Sequence, residues 1–329
     1  MNKFQRFIIK RLILSGLLTI AAVSIIFLLL RFMPGTPFES IMLSDQAPPD
    51  AVERMRARYG LDDPIHIQYL KYVRSMLLLE FGFSIRTGRP VWGILIPKLR
   101  NSLILFLPAI TFTAIVSSLL GMYAGWRRGS WFERSSVSLS TALRATPRFV
   151  TGVFLLMIFA YWLRWFPTFG MRSVTATPEG WYDTFVSVDF LHHAVLPFMT
   201  TAFYYSGDFL LLARNGVIER KGSAFLKLHK AKGLTETEQL MRAGRNSMLP
   251  LITYFAQRLG LLFTGNILIE VVFAWPGIGR QVVLSLEQSD YPTVQAAVFL
   301  MALAIILANL LADITYGYFD PTIEKGETA

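Results

Sequence analysis

Six long apolar runs leave this chain few folds to choose from. Leu12–Leu30, Ser102–Gly125, Ser138–Trp162, Leu191–Ala213, Leu251–Phe273 and Val294–Ile314 are each near the ~20 residues a helix needs to cross ~30 Å of hydrocarbon. Backbone N–H and C=O groups find no water inside lipid, so each run must satisfy them internally, as a helix. The reading is an all-α polytopic membrane protein with six transmembrane helices and no separate soluble domain. Composition agrees: 53% of residues are hydrophobic and only 16% are charged, outside the range of soluble domains. The first run follows Lys3, Arg6, Lys10 and Arg11, as a signal peptide would. It exceeds a typical h-region, however, and Arg31 to Pro34 stands where a small-residue cleavage site belongs, so a retained span is expected.

Lys and Arg in short loops set orientation. The N-terminal segment carries four, Trp126–Ser136 carries Arg127, Arg128 and Arg134, and 214–249 carries eight. The intervening loops 167–190 and 274–293 carry one each, Arg172 and Arg280. Both termini are therefore expected in the cytoplasm, with the protein in a plasma or inner membrane. The net charge of +10 follows from that topology and does not call for nucleic acid. Cysteine is absent, so no disulfide braces any loop.

Residues 31–100 are expected to form an extracytoplasmic helical loop. Ala51–Tyr59 and the stretch after Pro64 have helical apolar spacing, and the Met33–Pro37 breaker cluster ends the first span. The basic segment 214–249 is expected to be a cytoplasmic helix–turn–helix. Gly222–Lys232 forms one piece and Gly233 the turn; Thr235 caps a second piece from Glu236 towards Asn246, with Glu238 as its capping-box partner. Such a charged element on a hydrophobic chain presents a surface to something soluble.

Chemistry-bearing motifs are missing. No phosphate loop, H-E-x-x-H, G-x-S-x-G or cysteine cluster occurs. His192 and His193 are about 100° apart on a helix, unsuited to share a metal. No catalytic residue and no metal site are expected. Charges inside spans favour a bundle interior or a wet path, and two stand out. Asp208 is six residues before Arg214 and Arg258 eight after Pro250, so roughly 9 and 12 Å inside the same edge at 1.5 Å per residue. They are candidates to pair, directly or across a dimer interface, and to line or gate a path; a static interhelical lock and two independent water contacts are the structural alternatives. Glu270 and Asp313 read as helix-end charges, and Trp275–Arg280 as a turn that positions the last helix.

Motif order and spacing add a family. "MPGTP" (Met33–Pro37), "YGLDDPIHIQY" (Tyr59–Tyr69), "EFGFS" (Glu80–Ser84), "WFPTFG" (Trp165–Gly170) and "LPFMT" (Leu196–Thr200) occur in turn. "KAKGL", "RNSMLP", "IEVVFAWPGIGR" (Ile269–Arg280), "DYPTVQ" (Asp290–Gln295) and "NLLADITYGYFDPTI" (Asn309–Ile323) follow. In these, over nearly its whole length, the chain resembles the B-type permease subunits of dipeptide/oligopeptide/nickel ABC importers. The resemblance implies the type I ABC importer permease fold and a path shared with a second homologous permease. It also implies two ATPase subunits, which carry ATP and Mg, and an extracytoplasmic solute-binding protein; this chain itself binds no cofactor. In the family, the EAA-type loop docks on an ATPase subunit, a role that here falls on Ser223, Phe225, His229, Ala231, Lys232 and Gly233. The chain departs from the family's small residue at His229, from its frequent acid at Ala224 and from its usual Gln at Arg258. A stand-alone channel or secondary carrier is the alternative class, separated by whether ATPase subunits co-purify. Peptides, nickel complexes and oligosaccharides all remain open as substrates.

Overall fold

In the computed structural model, which describes residues 3–32, 63–177, 179–262 and 266–319, the apolar runs are helical but two are interrupted. Among the described residues no strand forms; one isolated bridge joins Phe83 and Pro90. The helices are α1 (Lys3–Phe32), α2 (Ile65–Leu77), α3 (Val91–Trp126), α4 (Trp131–Ala145), α5 (Arg148–Leu155, continued by a π-helical stretch Leu156–Trp162), α6 (Trp181–Phe185) and α7 (Val188–Lys221). They continue with α8 (Ala224–Ala231), α9 (Glu236–Asn246), α10 (Met248–Gly260), α11 (Ile267–Val272), α12 (Ile278–Glu287) and α13 (Tyr291–Phe319). The expected helix at Ala51–Tyr59 and the Met33–Pro37 breaker lie outside the described residues.

Gln5–Leu29, Val91–Trp126 and Tyr291–Ile314 are each long and apolar enough to cross a membrane. The run 138–162, expected to be one span, is instead split between α4 and α5 by a 103° bend. Pro147 is the cause: it lacks an N–H and disfavours helical backbone in the residue before it. Thr146 accordingly sits extended at φ −81°, ψ 129°. The run 251–273 is also discontinuous. α10 ends at Gly260, α11 begins at Ile267, and the buried Asn266 side chain donates to the Leu262 carbonyl at 2.9 Å.

The chain divides mainly into two units, Met1–Leu99 with Gln281–Gly317, and Arg100–Arg280. In the first, α2 lies on α1: Ser24 and Tyr69 hydroxyls meet at 2.7 Å, and Phe27 packs edge-on to Tyr69. The "EFGFS" and "DYPTVQ" motifs meet at one buried carboxylate. Asp290 accepts from Ser84 Oγ at 2.6 Å, from the Ile85 N–H at 3.0 Å and from Thr293 Oγ1 at 2.7 Å. It sits at the start of α13, where the helix dipole favours a negative charge, and fixes the 84–90 turn to that helix.

The second unit is organised by α7, 34 residues and so roughly 50 Å long. Apolar side chains alone do not drive helices together in lipid, so close backbone approach matters. Gly121 and Gly125, one turn apart on α3, meet Leu210 and Arg214, one turn apart on α7. A Cβ on Gly121 would stand 2.2 Å from the Leu210 carbonyl oxygen, and one on Gly125 2.6 Å from that of Arg214. Only glycine lets these backbones approach so closely. Buried Thr113, Thr200 and Thr201 return their hydroxyls to carbonyls four residues back, leaving no unsatisfied donor in an apolar setting.

Candidate functional site

From Gly222 to Asn246 the basic segment forms the expected helix–turn–helix, whereas Arg214–Lys221, expected in the loop, continue α7. Ser223 precedes α8, and Gly233, at φ +80°, makes the turn in a conformation only glycine adopts freely. Thr235 Oγ1 accepts from the Glu238 N–H while the Glu238 carboxylate accepts from the Thr235 N–H at 2.8 Å, closing the capping box of α9. These bonds to the charged form hold the Glu238 carboxyl below its ordinary range.

α8 is anchored on one side and open on the other. Leu226 is buried in a cluster with Trp126, Val217 and Ala243, with Met122 and Leu240 packed against it. Phe225 and Leu228 are exposed, at 39% and 54%. Ala231, Lys232 and Gly233 are exposed as well. His229 stacks on Phe225 at 4.3 Å between ring centroids, and its Nε2 accepts from Arg242 Nη1 of α9 at 3.2 Å. Burial first, then the Arg242 and Lys232 charges, lower the His229 pKa, so the neutral ring is the native form. Its side chain therefore ties α8 to α9 across the turn.

Below this surface the charges are paired. Glu133 of α4 accepts from Arg214 Nε of α7 at 2.8 Å, with a second contact from Nη2, and from the Gly129 N–H at 2.5 Å. Lys221 at the end of α7 donates to the Trp126 carbonyl. The docking-type element thus stands on α3, α4 and α7 through one part-buried ion pair and one apolar cluster.

Within this chain Asp208 and Arg258 do not pair directly. Asp208 Oδ1 instead pairs with Arg144 Nε at 3.0 Å, and Oδ2 accepts from the Tyr254 hydroxyl. Arg258 lies over the Tyr254 ring at 4.5 Å and near Tyr205 at 5.9 Å. Tyr254 therefore stands between the two charges that sequence depth alone places side by side. The bend at Pro147 brings Arg144, an unconsidered competitor, to the carboxylate.

Glu270 is fully buried and forms the centre of the Trp275–Arg280 turn. It accepts from Ser102 Oγ at 2.5 Å and from the Arg280 N–H at 2.8 Å, while Ser102 Oγ in turn accepts from the Ile278 N–H at 2.9 Å. Trp275 Nε1 donates to the Asn101 carbonyl, and Asn101 Nδ2 to the Pro276 carbonyl, both at 3.0 Å. A carboxylate at the start of α12 is favoured by the helix dipole. Asp313 pairs with Arg11 at 3.0 Å, joining α13 to α1. The two histidines point to backbone: His192 Nε2 meets the Trp165 carbonyl at 2.6 Å and His193 Nδ1 the Asp189 carbonyl at 2.8 Å.

Residues 117–325 match the family model described as "Binding-protein-dependent transport system inner membrane component", and residues 4–105 match its N-terminal companion, "Binding-prot-dependent transport system membrane comp, N-term". The chain belongs to this family of transport-system membrane components. It is 30% identical over 320 residues to the oligopeptide transport system permease protein AppB of Bacillus subtilis, covering 97% of this chain and 99% of that one. It is 30% identical to the glutathione transport system permease protein GsiC of Shigella flexneri, covering 96% and 98%. The dipeptide transport system permease protein DppB of Alkalihalophilus pseudofirmus is 29% identical, again covering 96% and 98%. This permease is thus a multi-pass inner-membrane component of a binding-protein-dependent transporter, and works with other subunits.

Several residues of the permease escaped sequence reasoning. Arg144, Arg148, Tyr205 and Tyr254 shape the intramembrane charge cluster, and Glu133 with Arg214 supports the basic segment. Arg144 and Arg148, charged residues on either side of a proline inside an apolar run, carried the available signal.

Proposed function

We propose that this permease imports short peptides, sharing its path with a second homologous permease. Two ATPase subunits, which hold ATP and Mg, drive the cycle, and an extracytoplasmic binding protein delivers solute. The peptide class is supported by the names of the relatives above. Both termini and the segment 214–249 face the cytoplasm, where positive loops are retained.

The observation that carries the coupling role is the two-sided character of α8. Leu226 fixes the helix from beneath, and Phe225, Leu228, Ala231 and Gly233 are left open for a partner. An eight-residue helix has no stability of its own; held on a packed cluster through Leu226, it passes force to α3 and α7 as a rigid body. ATP-driven closure of the ATPases then turns the path outward, the binding protein releases peptide, and hydrolysis resets it inward. Asp208 with Arg258 belongs to the path or its gate, whereas Glu270 and Asp313 hold helix ends.

Gly233→Trp and Ala231→Glu test this on the reconstituted complex. Each is expected to abolish uptake while ATP hydrolysis loses its dependence on the loaded binding protein. Normal uptake with wild-type ATPase stimulation in either variant removes the docking assignment.

A further inference from the structure

The open face of the coupling element carries charge of one sign. Residues 220–233 hold five cations, Arg220, Lys221, Lys227, Lys230 and Lys232, and no acid. Lys221 donates to the Trp126 carbonyl and lies over its ring at 4.9 Å. The other four side chains are exposed and, among the described residues, have no ion-pair partner. The flanking acids do not neutralise them. Glu236 pairs with Arg127 at 3.6 Å, Glu238 closes the α9 cap, and Glu219, back on α7, makes no ion pair.

Helix geometry sets two of these charges astride an apolar ridge. Leu226 points down into its buried cluster. At ~100° per residue, Ala224, Leu228 and Ala231 point within roughly 40° of the opposite direction. Lys227 and Lys232 fall on the two shoulders of that ridge, ~100° and ~240° around from Leu226. The arrangement is costly to the free chain. Lys227 and Lys230, three residues apart, repel each other, on a helix of eight residues that has little to offset it. Retention of positive loops in the cytoplasm needs charge anywhere in the segment. It does not call for lysines on both sides of an open apolar ridge with the acids turned to other partners. A protein interface does: an apolar centre with a rim of complementary charge.

We propose that the ATPase subunit engaged by α8 presents an apolar groove with an acidic rim, and that Lys227 and Lys232 select and steer it by pairing with carboxylates on the two sides of that groove. The inference rests on the docking reading above and adds Lys227, on the far shoulder, to the contact set. Partner choice then follows charge as well as shape, because a subunit with a neutral or basic rim leaves both lysines unpaired. Steering of this kind acts mainly on encounter and is screened by salt.

The test measures binding of the ATPase subunits to the permease pair in phosphatidylcholine nanodiscs. Salt is raised from roughly 50 mM to 1 M, over which the screening length falls from more than ~10 Å to ~3 Å. Wild-type affinity is expected to fall steadily. Lys227→Gln combined with Lys232→Gln is expected to bind roughly tenfold more weakly at the low-salt end and within about twofold at the high-salt end, the loss of two exposed ion pairs. Leu228→Asp, at the centre of the ridge, is expected to weaken binding at every salt concentration. Unchanged or tighter low-salt binding by the double lysine variant overturns the acidic rim and leaves docking standing. Protection of 224–231 from hydrogen exchange by phosphatidylglycerol nanodiscs without ATPase also overturns it, in favour of an acidic lipid surface. If the wild type binds no ATPase, or Leu228→Asp binds as the wild type does, docking itself fails and takes the rim with it.

Discussion

Truncating Leu226 separates the anchor of the coupling helix from its contact face. Leu226 is 3% exposed and packs among Trp126, Val217 and Ala243, the last two fully buried. A buried Leu→Ala change costs about 2–5 kcal/mol. α8 has eight residues, too few to persist undocked, so the loss is expected in local detachment of α8 and not in global unfolding. Taking the lower bound, ~2 kcal/mol raises the detached population ~30-fold. Hydrogen exchange of 224–231 in the purified chain reads this directly: Leu226→Ala accelerates exchange there and leaves α3 and α7 protected. Phe225→Ala, at a 39% exposed position, is expected to leave exchange close to wild type and to reduce ATPase-coupled uptake in the complex. Unchanged exchange in Leu226→Ala, or identical exchange profiles for the two variants, refutes the division of labour.

Three further outcomes follow from the geometry. Gly121→Leu is expected to abolish the monodisperse fold in detergent, since even a Cβ would sit 2.2 Å from the Leu210 carbonyl; a well-folded variant removes close α3–α7 approach from the account. Glu270→Ala strands the Arg280 N–H that it accepts from and removes the Ser102 hydrogen bond. A loss of about 3 kcal/mol is expected, read as a lowered thermal midpoint, and an unchanged midpoint contradicts the buried staple. The lowered His229 pKa makes the α8–α9 tie dependent on pH. The folded state prefers the neutral ring, so the tie is intact above the ordinary histidine range and is lost as pH falls through that range. Exchange of 224–231 should therefore quicken, relative to intrinsic rates, between pH 7.5 and 5, and His229→Ala should flatten that dependence.

The basic segment was the most legible part of the chain because its signals are local. Gly233, Thr235 and Glu238 encode turn and cap within six residues, and the helix α9 runs from Glu236 to Asn246 as expected. The apolar runs were legible as helices but not in their continuity, since hydropathy weighs Pro147 as one residue among many while its missing N–H bends the helix by 103°. The Asp208 neighbourhood was misread for the same reason. Equal depth brings Asp208 and Arg258 to one level, but rotation about each helix axis decides who meets whom, and the bend supplied Arg144 at 3.0 Å. Glu270 illustrates a third case: its partners Ser102 and Arg280 lie 168 and 10 residues away, and no local pattern announces such pairing.

The absence of cysteine makes the decisive measurement direct. A single Leu228→Cys, placed on the exposed face of α8, is to be cross-linked in the membrane-embedded transporter and the product identified. The account requires a cross-link to an ATPase subunit, with Leu226→Cys, on the buried face, giving none. Absence of any ATPase adduct from Leu228→Cys, in a transporter that still takes up solute, would contradict it.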